Sequence, residues 1–142
     1  ILNLWQARWE ASSKGRWTFQ LIPDLRPWSR RTFGETNFHL TQALSGHGCF
    51  SSYLHSIGKL VSPACWYCNA PTDDAHHTLF ICDAWHSRQS RLNTILGRDI
   101  SLPTLVPVML QSRENWIIVS QFITEVMKSK ESEERRRQAY PP

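Results

Sequence analysis

The stretch that decides the fold is CWYCNAPTDDAHHTLFIC, residues 65–82, which carries three of the four cysteines in a chain of 142 residues. Cys65 and Cys68 are followed by His77 and Cys82 at the spacing C-x2-C-x8-H-x4-C. Zinc takes four sulfur or nitrogen ligands in a tetrahedron, and one tight C-x2-C turn delivers two thiolates to a single point. The pattern therefore predicts a zinc site made by these four side chains.

Two features of this assignment stay open. His76 is the alternative to His77, which we prefer because H-x4-C places both groups on adjacent turns of one helix face. Cys49 is expected to be a buried core residue, with an additional ligand as the alternative. Disulfides and a redox pair are disfavoured by the spacing, the interposed histidines and the lack of a βαβ pattern. Because three thiolates and one imidazole fill a tetrahedron, we expect a structural site rather than a catalytic one.

Helical periodicity dominates on both sides of this stretch. It predicts a helix near 2–14, one capped by Thr36 or Asn37 and ended by Gly46, a short one over 50–57, one from Asp83 to Gly97, and a long C-terminal amphipathic helix with Trp116, Val119, Phe122, Ile123, Val126 and Met127 on one face. Residues 17–22 form the one β-rich run of useful length. The predicted fold class is therefore mainly α: a small helical domain stapled by one CCHC zinc knuckle, with a long C-terminal amphipathic helix.

Prolines and charges set the expected interruptions. Residues 22–27 contain two prolines and are expected to break the backbone, and Pro107 is expected to kink or shorten any helix that Pro103 begins. Residues 135–137, three consecutive arginines, are expected to lie on a fraying, solvated helix end.

The length allows one domain with extensions, and 41% hydrophobic residues with seven tryptophans exclude wholesale disorder. We divide the chain into a basic, Trp-rich helical region (1–60), the zinc knuckle with its following helix (61–97) and a C-terminal helical region with a charged tail (98–142). No apolar run reaches membrane-spanning length, so no membrane partner is expected. The chain opens on Ile1 with neither an initiator Met nor a signal peptide, which suggests part of a longer protein.

Basic charge is concentrated near the N-terminus. The net charge is +4, and residues 1–60 hold seven basic and three acidic groups, whereas the knuckle loop is acidic. Arginine matches phosphate and stacks on bases, so the basic region is the better candidate for nucleic-acid contacts. The candidate residues there are Arg8, Lys14, Arg16, Arg26, Arg30 and Arg31. Trp66 and Tyr67, between two predicted zinc ligands, either stack on bases or pack into the core.

Several runs together resemble a known family. They are Gly15-Arg16-Trp17-Thr18, Ile22-Pro23-Asp24, residues 38–50 (FHLTQALSGHGCF), Tyr53-Leu54, Ile57-Gly58-Lys59, residues 63–68 (PACWYC) and His77-Thr78-Leu79-Phe80 with Cys82 and Trp85. They resemble the C-terminal, zinc-knuckle region of the reverse-transcriptase polyprotein of arthropod non-LTR retrotransposons, in the clade that targets ribosomal DNA or telomeric repeats. The likeness covers most of residues 5–127.

The resemblance implies Zn²⁺ bound by Cys65, Cys68, His77 and Cys82, and contact with element RNA or target DNA during target-primed reverse transcription in the nucleus. It implies no catalysis by this chain, because the polymerase and endonuclease of such a polyprotein lie elsewhere and no aromatic-x-Asp-Asp motif is present. The alternative is a domesticated copy that serves as a protein-interaction module, with the helix Trp116–Lys130 packed against a partner.

Overall fold

Every regular element that the structure describes is a helix. The computed structural model describes residues 1–140 and contains α1 (Leu2–Ala11), α2 (Arg16–Leu21), α3 (Leu25–Arg30), α4 (Phe38–Ser45), α5 (Ser51–Ser56), a π turn (His77–Ile81), a 3₁₀ turn (Asp83–Trp85), α6 (His86–Leu96), α7 (Leu105–Gln111) and α8 (Arg113–Ala139). The predicted mainly α class with a long C-terminal helix is confirmed. Among the described helices, none combines the length and apolarity that a bilayer crossing demands.

The C-terminal helix α8 is the centre of the packing, in contact with α4, α6 and α7. Its predicted apolar stripe is buried: Trp116, Val119, Phe122, Ile123, Val126 and Met127 are each at most 7% exposed. Burial of one such side chain contributes about 1.5–3 kcal/mol. The apolar stripe, which the alternative hypothesis assigned to a protein partner, therefore packs into the protein's own core. That core also includes residues from the 1–60 and 61–97 regions.

Side-chain caps fix the start of two core helices. The Asn37 side chain accepts a hydrogen bond from Leu40 N at 2.8 Å at the start of α4, which selects Asn37 over Thr36. Ser112 does the same for α8, accepting from Asn115 N at 3.0 Å. Asp83 was expected to cap a helix, but it lies inside the 3₁₀ turn and its side chain makes no cap bond.

The β-rich run at residues 17–22 is helical, so that expectation is wrong. Trp17 Nε1 donates to Ala43 O at 2.9 Å and Thr18 Oγ1 donates to Leu44 O at 2.7 Å, which anchors α2 to the end of α4. These tertiary contacts outweigh the weak intrinsic preference of the run. The first helix is also shorter than expected, because α1 ends at Ala11 and a separate helix begins at Arg16.

Two prolines expected to disrupt helices lie in the first turns of helices instead. Pro27 and Pro107 each occupy the third position of their helix, α3 and α7. Backbone N–H groups in a first turn have no partner within the helix, so proline removes no hydrogen bond there. The break predicted over residues 22–27 is thus confined to the residues before Leu25. Residues 135–137, expected at a solvated helix end, are exposed and lie near the C-terminal end of α8, with Arg136 and Arg137 in its last turn.

Candidate metal centre

The structure brings together the four side chains that the spacing selected. The ligand atoms of Cys65, Cys68, His77 and Cys82 all lie within 4.8 Å of one another. The Sγ atoms of Cys65 and Cys82 are 3.9 Å apart, and Cys68 Sγ is 3.2 Å from His77 Nε2. Cys65, His77 and Cys82 are buried, and Cys68 is half-buried. This Cys3His group can hold a metal ion.

Two distances within the group can be compared with those around a tetrahedral zinc ion. Bonds of about 2.3 Å to sulfur and 2.0 Å to nitrogen place two sulfurs about 3.8 Å apart and a sulfur and a nitrogen about 3.5 Å apart. The sulfur–sulfur distance of 3.9 Å is close to the first value, and the sulfur–nitrogen distance of 3.2 Å is within a few tenths of an ångström of the second. The donor chemistry, three sulfurs and one imidazole, is also that of structural zinc sites.

The first pair of ligands is supplied by a tight turn. Cys65 N donates to Ala70 O at 2.9 Å, which closes the loop, and Tyr67 N donates to Cys65 Sγ at 3.4 Å. Asn69 completes the reversal with φ 62°, a left-handed conformation that asparagine adopts more readily than most residues. The turn therefore aims both sulfurs to one side.

The second pair is supplied by a π turn, which corrects the reason given for preferring His77. Residues five apart in a regular α-helix are separated by about 140° around the axis, so His77 and Cys82 would not share a face. Here Cys82 N donates to His77 O at 2.8 Å, an i→i+5 bond that widens the turn. The widened turn brings the His77 ring and the Cys82 sulfur to the same point.

The alternative ligands lie apart from the group. His76 is exposed, with its ring 6.0 Å from that of Trp17 and 5.8 Å from that of Phe80. Cys49 is buried in the core, where burial raises the pKa of its thiol to about 12. Neither belongs to the Cys3His group.

The acidic loop before His77 is held by internal contacts. Asp74 Oδ1 accepts from His77 N at 2.8 Å and so caps the helical segment that carries this ligand. Asp73 is only 2% exposed and pairs with Lys130 of α8, with 2.7 Å between Lys130 Nζ and Asp73 Oδ2. Lys130 was missed from the sequence, although its spacing from Val126 and Met127 continues the buried face of α8. Half of the loop's charge is therefore neutralised inside the protein.

Burial also acts on the group itself. It raises the pKa of the Cys82 thiol to about 12, and hydrogen bonding from the Ala84 backbone opposes that shift. Metal ions bind the thiolate, so ion binding at this site releases protons.

Comparisons with known proteins agree with the resemblance drawn from the motifs. Over 82 residues, 58% of this chain, it is 37% identical to a Retrovirus-related Pol polyprotein from type-1 retrotransposable element R1 of Bradysia coprophila. Over 121 residues, 84% of the chain, it is 28% identical to the R1 4 Pol polyprotein of Nasonia vitripennis, and over 86 residues it is 40% identical to the R1 3 polyprotein of the same organism. The chain is similar to segments of these R1 Pol polyproteins.

The chain spans 8% of the length of the Bradysia relative and 31% of that of the first Nasonia relative. The predicted resemblance to a retrotransposon polyprotein is confirmed. No protein-family model matches the chain, and no solved structure matches it.

Two of the arginines predicted to contact nucleic acid are held by contacts within the protein. The Arg16 guanidinium lies 5.0 Å from the centre of the Trp9 ring and donates to Trp9 O at 2.7 Å. Arg31 lies 4.1 Å from the centre of the Trp28 ring and donates to Trp28 O at 2.9 Å. Each half-buried guanidinium therefore supports the tryptophan beside it.

The other predicted cations are exposed. Arg8, Lys14 and Arg30 make no ion pair within residues 1–140, and Arg26 forms a surface pair with Asp24 at 3.1 Å. These residues lie on α1, on α3 and between α1 and α2. The exposed Trp5 of α1, 54% accessible, was not predicted as a contact residue. Its exposure could not be inferred, because its spacing from Trp9 indicated a buried face.

The two aromatic residues of the knuckle are occupied by contacts within the protein. The Arg137 guanidinium of α8 lies 4.9 Å from the centre of the Trp66 ring. Tyr67 packs edge-on against Trp85 with 5.0 Å between ring centres, and burial raises the pKa of its hydroxyl. Of the two interpretations left open by the sequence, these contacts correspond to packing.

Proposed function

We propose that this chain is a non-catalytic, zinc-dependent nucleic-acid-binding segment of a retrotransposon polyprotein. It contacts element RNA or target DNA during target-primed reverse transcription. The observation that carries the proposal is a Cys3His group whose ligand atoms lie within 4.8 Å of one another, in a chain similar to R1 Pol polyproteins. Because the target of such a reaction is chromosomal DNA, the proposal places the chain in the nucleus.

Zinc has a structural role in this proposal. Four protein ligands fill its coordination shell, so no position is left at which the ion would activate water. The bound ion ties the C-x2-C turn to the π turn, and both pack on α8 through Lys130. Folding and metal binding are therefore coupled, as in other small zinc domains.

Nucleic acid is proposed to bind across α1 and α3. Gln6 joins the region of these helices: its Nε2 donates to Pro23 O at 2.8 Å, and its Oε1 accepts from Leu25 N at 2.8 Å. Arg8 of α1 and Arg30 of α3 are exposed cations on the two elements. Exposed Trp5 adds a ring on which a base can stack, a contact worth about 1–3 kcal/mol.

The metal assignment is tested by a pair of neighbouring histidines. We expect His77→Ala to lose the zinc found in the purified wild-type protein, about one ion per chain, because three ligands remain. His76→Ala is the matched control and should keep it. The measurement is metal content by mass spectrometry after dialysis. A wild-type protein without zinc, or equal zinc in both variants, would contradict the assignment.

The nucleic-acid surface is tested by salt dependence. Each phosphate contact adds about 0.9 to the slope of log K against log salt on duplex DNA and about 0.7 on a single strand. The double variant Arg8→Gln/Arg30→Gln should bind labelled single-stranded RNA and duplex DNA more weakly, with a slope shallower by about 1.4 on the RNA and about 1.8 on the duplex. Arg91→Gln/Arg98→Gln removes two exposed charges from α6 and the loop after it, and should not change the slope. Salt-independent binding by the wild type, or equal slopes for both variants, would refute the surface.

A further inference from the structure

We propose that Lys130 is a positioning residue for the metal site, so that the C-terminal helix sets the metal affinity of a centre to which it gives no ligand. This inference rests on the metal binding proposed above. It does not depend on the nucleic-acid surface.

Lys130 is fully buried at a point where three groups meet. Its Nζ donates to Asp73 Oδ2 at 2.7 Å and to Thr78 Oγ1 at 3.1 Å. Thr78 Oγ1 in turn donates to Asp73 Oδ1 at 2.9 Å, which closes a triangle of hydrogen bonds. The rings of Phe50 and Tyr67 lie 5.5 Å and 5.7 Å from Nζ and shield the ammonium group from water.

The two hydrogen-bond partners of Lys130 are linked to the two segments that carry the metal ligands. Thr78 follows His77 directly in the π turn, so its hydroxyl fixes the segment that carries the imidazole. Asp73 N donates to Pro63 O at 2.9 Å, two residues before Cys65. The Lys130 ammonium group therefore fixes the segment that carries the first cysteine pair relative to the π turn that carries His77.

The same carboxylate is also tied to α5. Ser51 N donates to Asp73 Oδ2 at 3.1 Å, and Ser52 N donates to Asp73 O at 2.9 Å. Asp73 thus has partners at both carboxylate oxygens and at its backbone N–H and C=O. Without Lys130, the metal site keeps its four ligands, but the buried Asp73 carboxylate loses the positive charge that compensates it.

A buried ion pair is weak evidence for stability, because well-packed apolar residues of similar size often serve as well. Apolar residues do not, however, reproduce the directional hydrogen bonds that Lys130 donates to both Asp73 and Thr78. In metal proteins, removal of a group that orients the ligands lowers metal affinity about 10- to 100-fold. A comparable loss is expected when Lys130 is replaced.

The test compares three variants of the whole chain with the wild type. Lys130→Met removes the ammonium group, and Asp73→Asn/Lys130→Met removes the charge of both partners. Lys128→Met, at an exposed position of the same helix, is the matched control with the same change in net charge. Zn²⁺ affinity is measured by competition with a chromophoric chelator, Co²⁺ absorption reports the tetrahedral geometry, and urea unfolding of the metal-free protein reports stability.

We expect Lys128→Met to match the wild type and Lys130→Met to bind Zn²⁺ about 10- to 100-fold more weakly. The double variant leaves no charge buried without its partner, so its urea midpoint should return toward that of the wild type while its affinity stays low and its Co²⁺ spectrum stays altered. Affinity that returns together with stability, or an unchanged affinity in Lys130→Met, would overturn the proposal. A wild type that binds no zinc would refute the metal centre itself.

Discussion

Gly34 is a position at which a single added methyl group should be strongly destabilising. Its backbone has φ +103°, outside the range that other residues adopt readily, and a Cβ there would lie 2.9 Å from Cδ2 and Cε2 of Trp116. Trp116 has little freedom to move aside: it is 3% exposed, and its Nε1 donates to Glu35 O at 3.0 Å. The Trp28 ring packs against it with 5.5 Å between centres.

The cost of Gly34→Ala has two parts. A left-handed backbone costs an alanine about 1–2 kcal/mol. Overpacking against a fixed ring adds about 1–3 kcal/mol, so the free energy of unfolding should fall by about 2–5 kcal/mol. Gly58→Ala is the matched control, because Gly58 also has a positive φ, +81°, but a Cβ there meets nothing within 4 Å. Gly58→Ala should therefore show only the backbone contribution of about 1–2 kcal/mol.

Urea unfolding followed by tryptophan fluorescence and circular dichroism measures both variants. For a chain of this size, 1 kcal/mol corresponds to a Tm shift of about 3 °C, so Gly34→Ala should lose about 6–15 °C. Equal losses for Gly34→Ala and Gly58→Ala would refute the reasoning, since they would mean that the Trp116 ring relaxes without cost.

Two smaller effects are also expected. Asn37→Ala should lower the free energy of unfolding by about 1 kcal/mol because it removes the cap of α4, whereas Thr36→Ala should not; urea unfolding of both variants checks this, and equal losses would contradict the cap. Hydrogen bonding from Arg136 lowers the pKa of Glu133, so their contact stabilises the end of α8 above the unfolded pKa of that carboxyl and is lost as the pH falls through the folded one. Helical circular dichroism should therefore decrease in acid by more in the wild type than in Glu133→Gln; identical acid profiles would count against it.

Local sequence patterns predict the four metal-ligand residues, but they do not predict that Lys130 is buried beside the site. The positions of Cys65, Cys68, His77 and Cys82 follow from spacing, because the ligands lie within 18 residues and zinc imposes one geometry on them. Lys130 lies 57 residues from Asp73, and a lysine in a charged helix end is ordinarily solvated. Nothing local marks it as buried.

The helices also differ in how well the local sequence predicts them. The stripe of α8 was predictable because residues 116–127 repeat one period over about three turns. In contrast, α2 is six residues long and its state depends on contacts with Ala43 and Leu44. Pro27 and Pro107 were misjudged because their effect depends on position within a helix, and the boundary of a short helix is not visible in its sequence. In each case, tertiary contacts decided what the local pattern left ambiguous.

The π turn at His77 makes the ligand spacing of this centre adjustable. An i→i+5 turn contains one residue more than an α-helical turn, so deletion of one residue between His77 and Cys82 would convert it into an ordinary turn. Residues four apart in an α-helix are separated by only about 40° around the axis, and the two ligands would still converge. Sequences with H-x3-C and H-x4-C can therefore build the same site, and a search for distant homologues that requires a fixed spacing would discard true members.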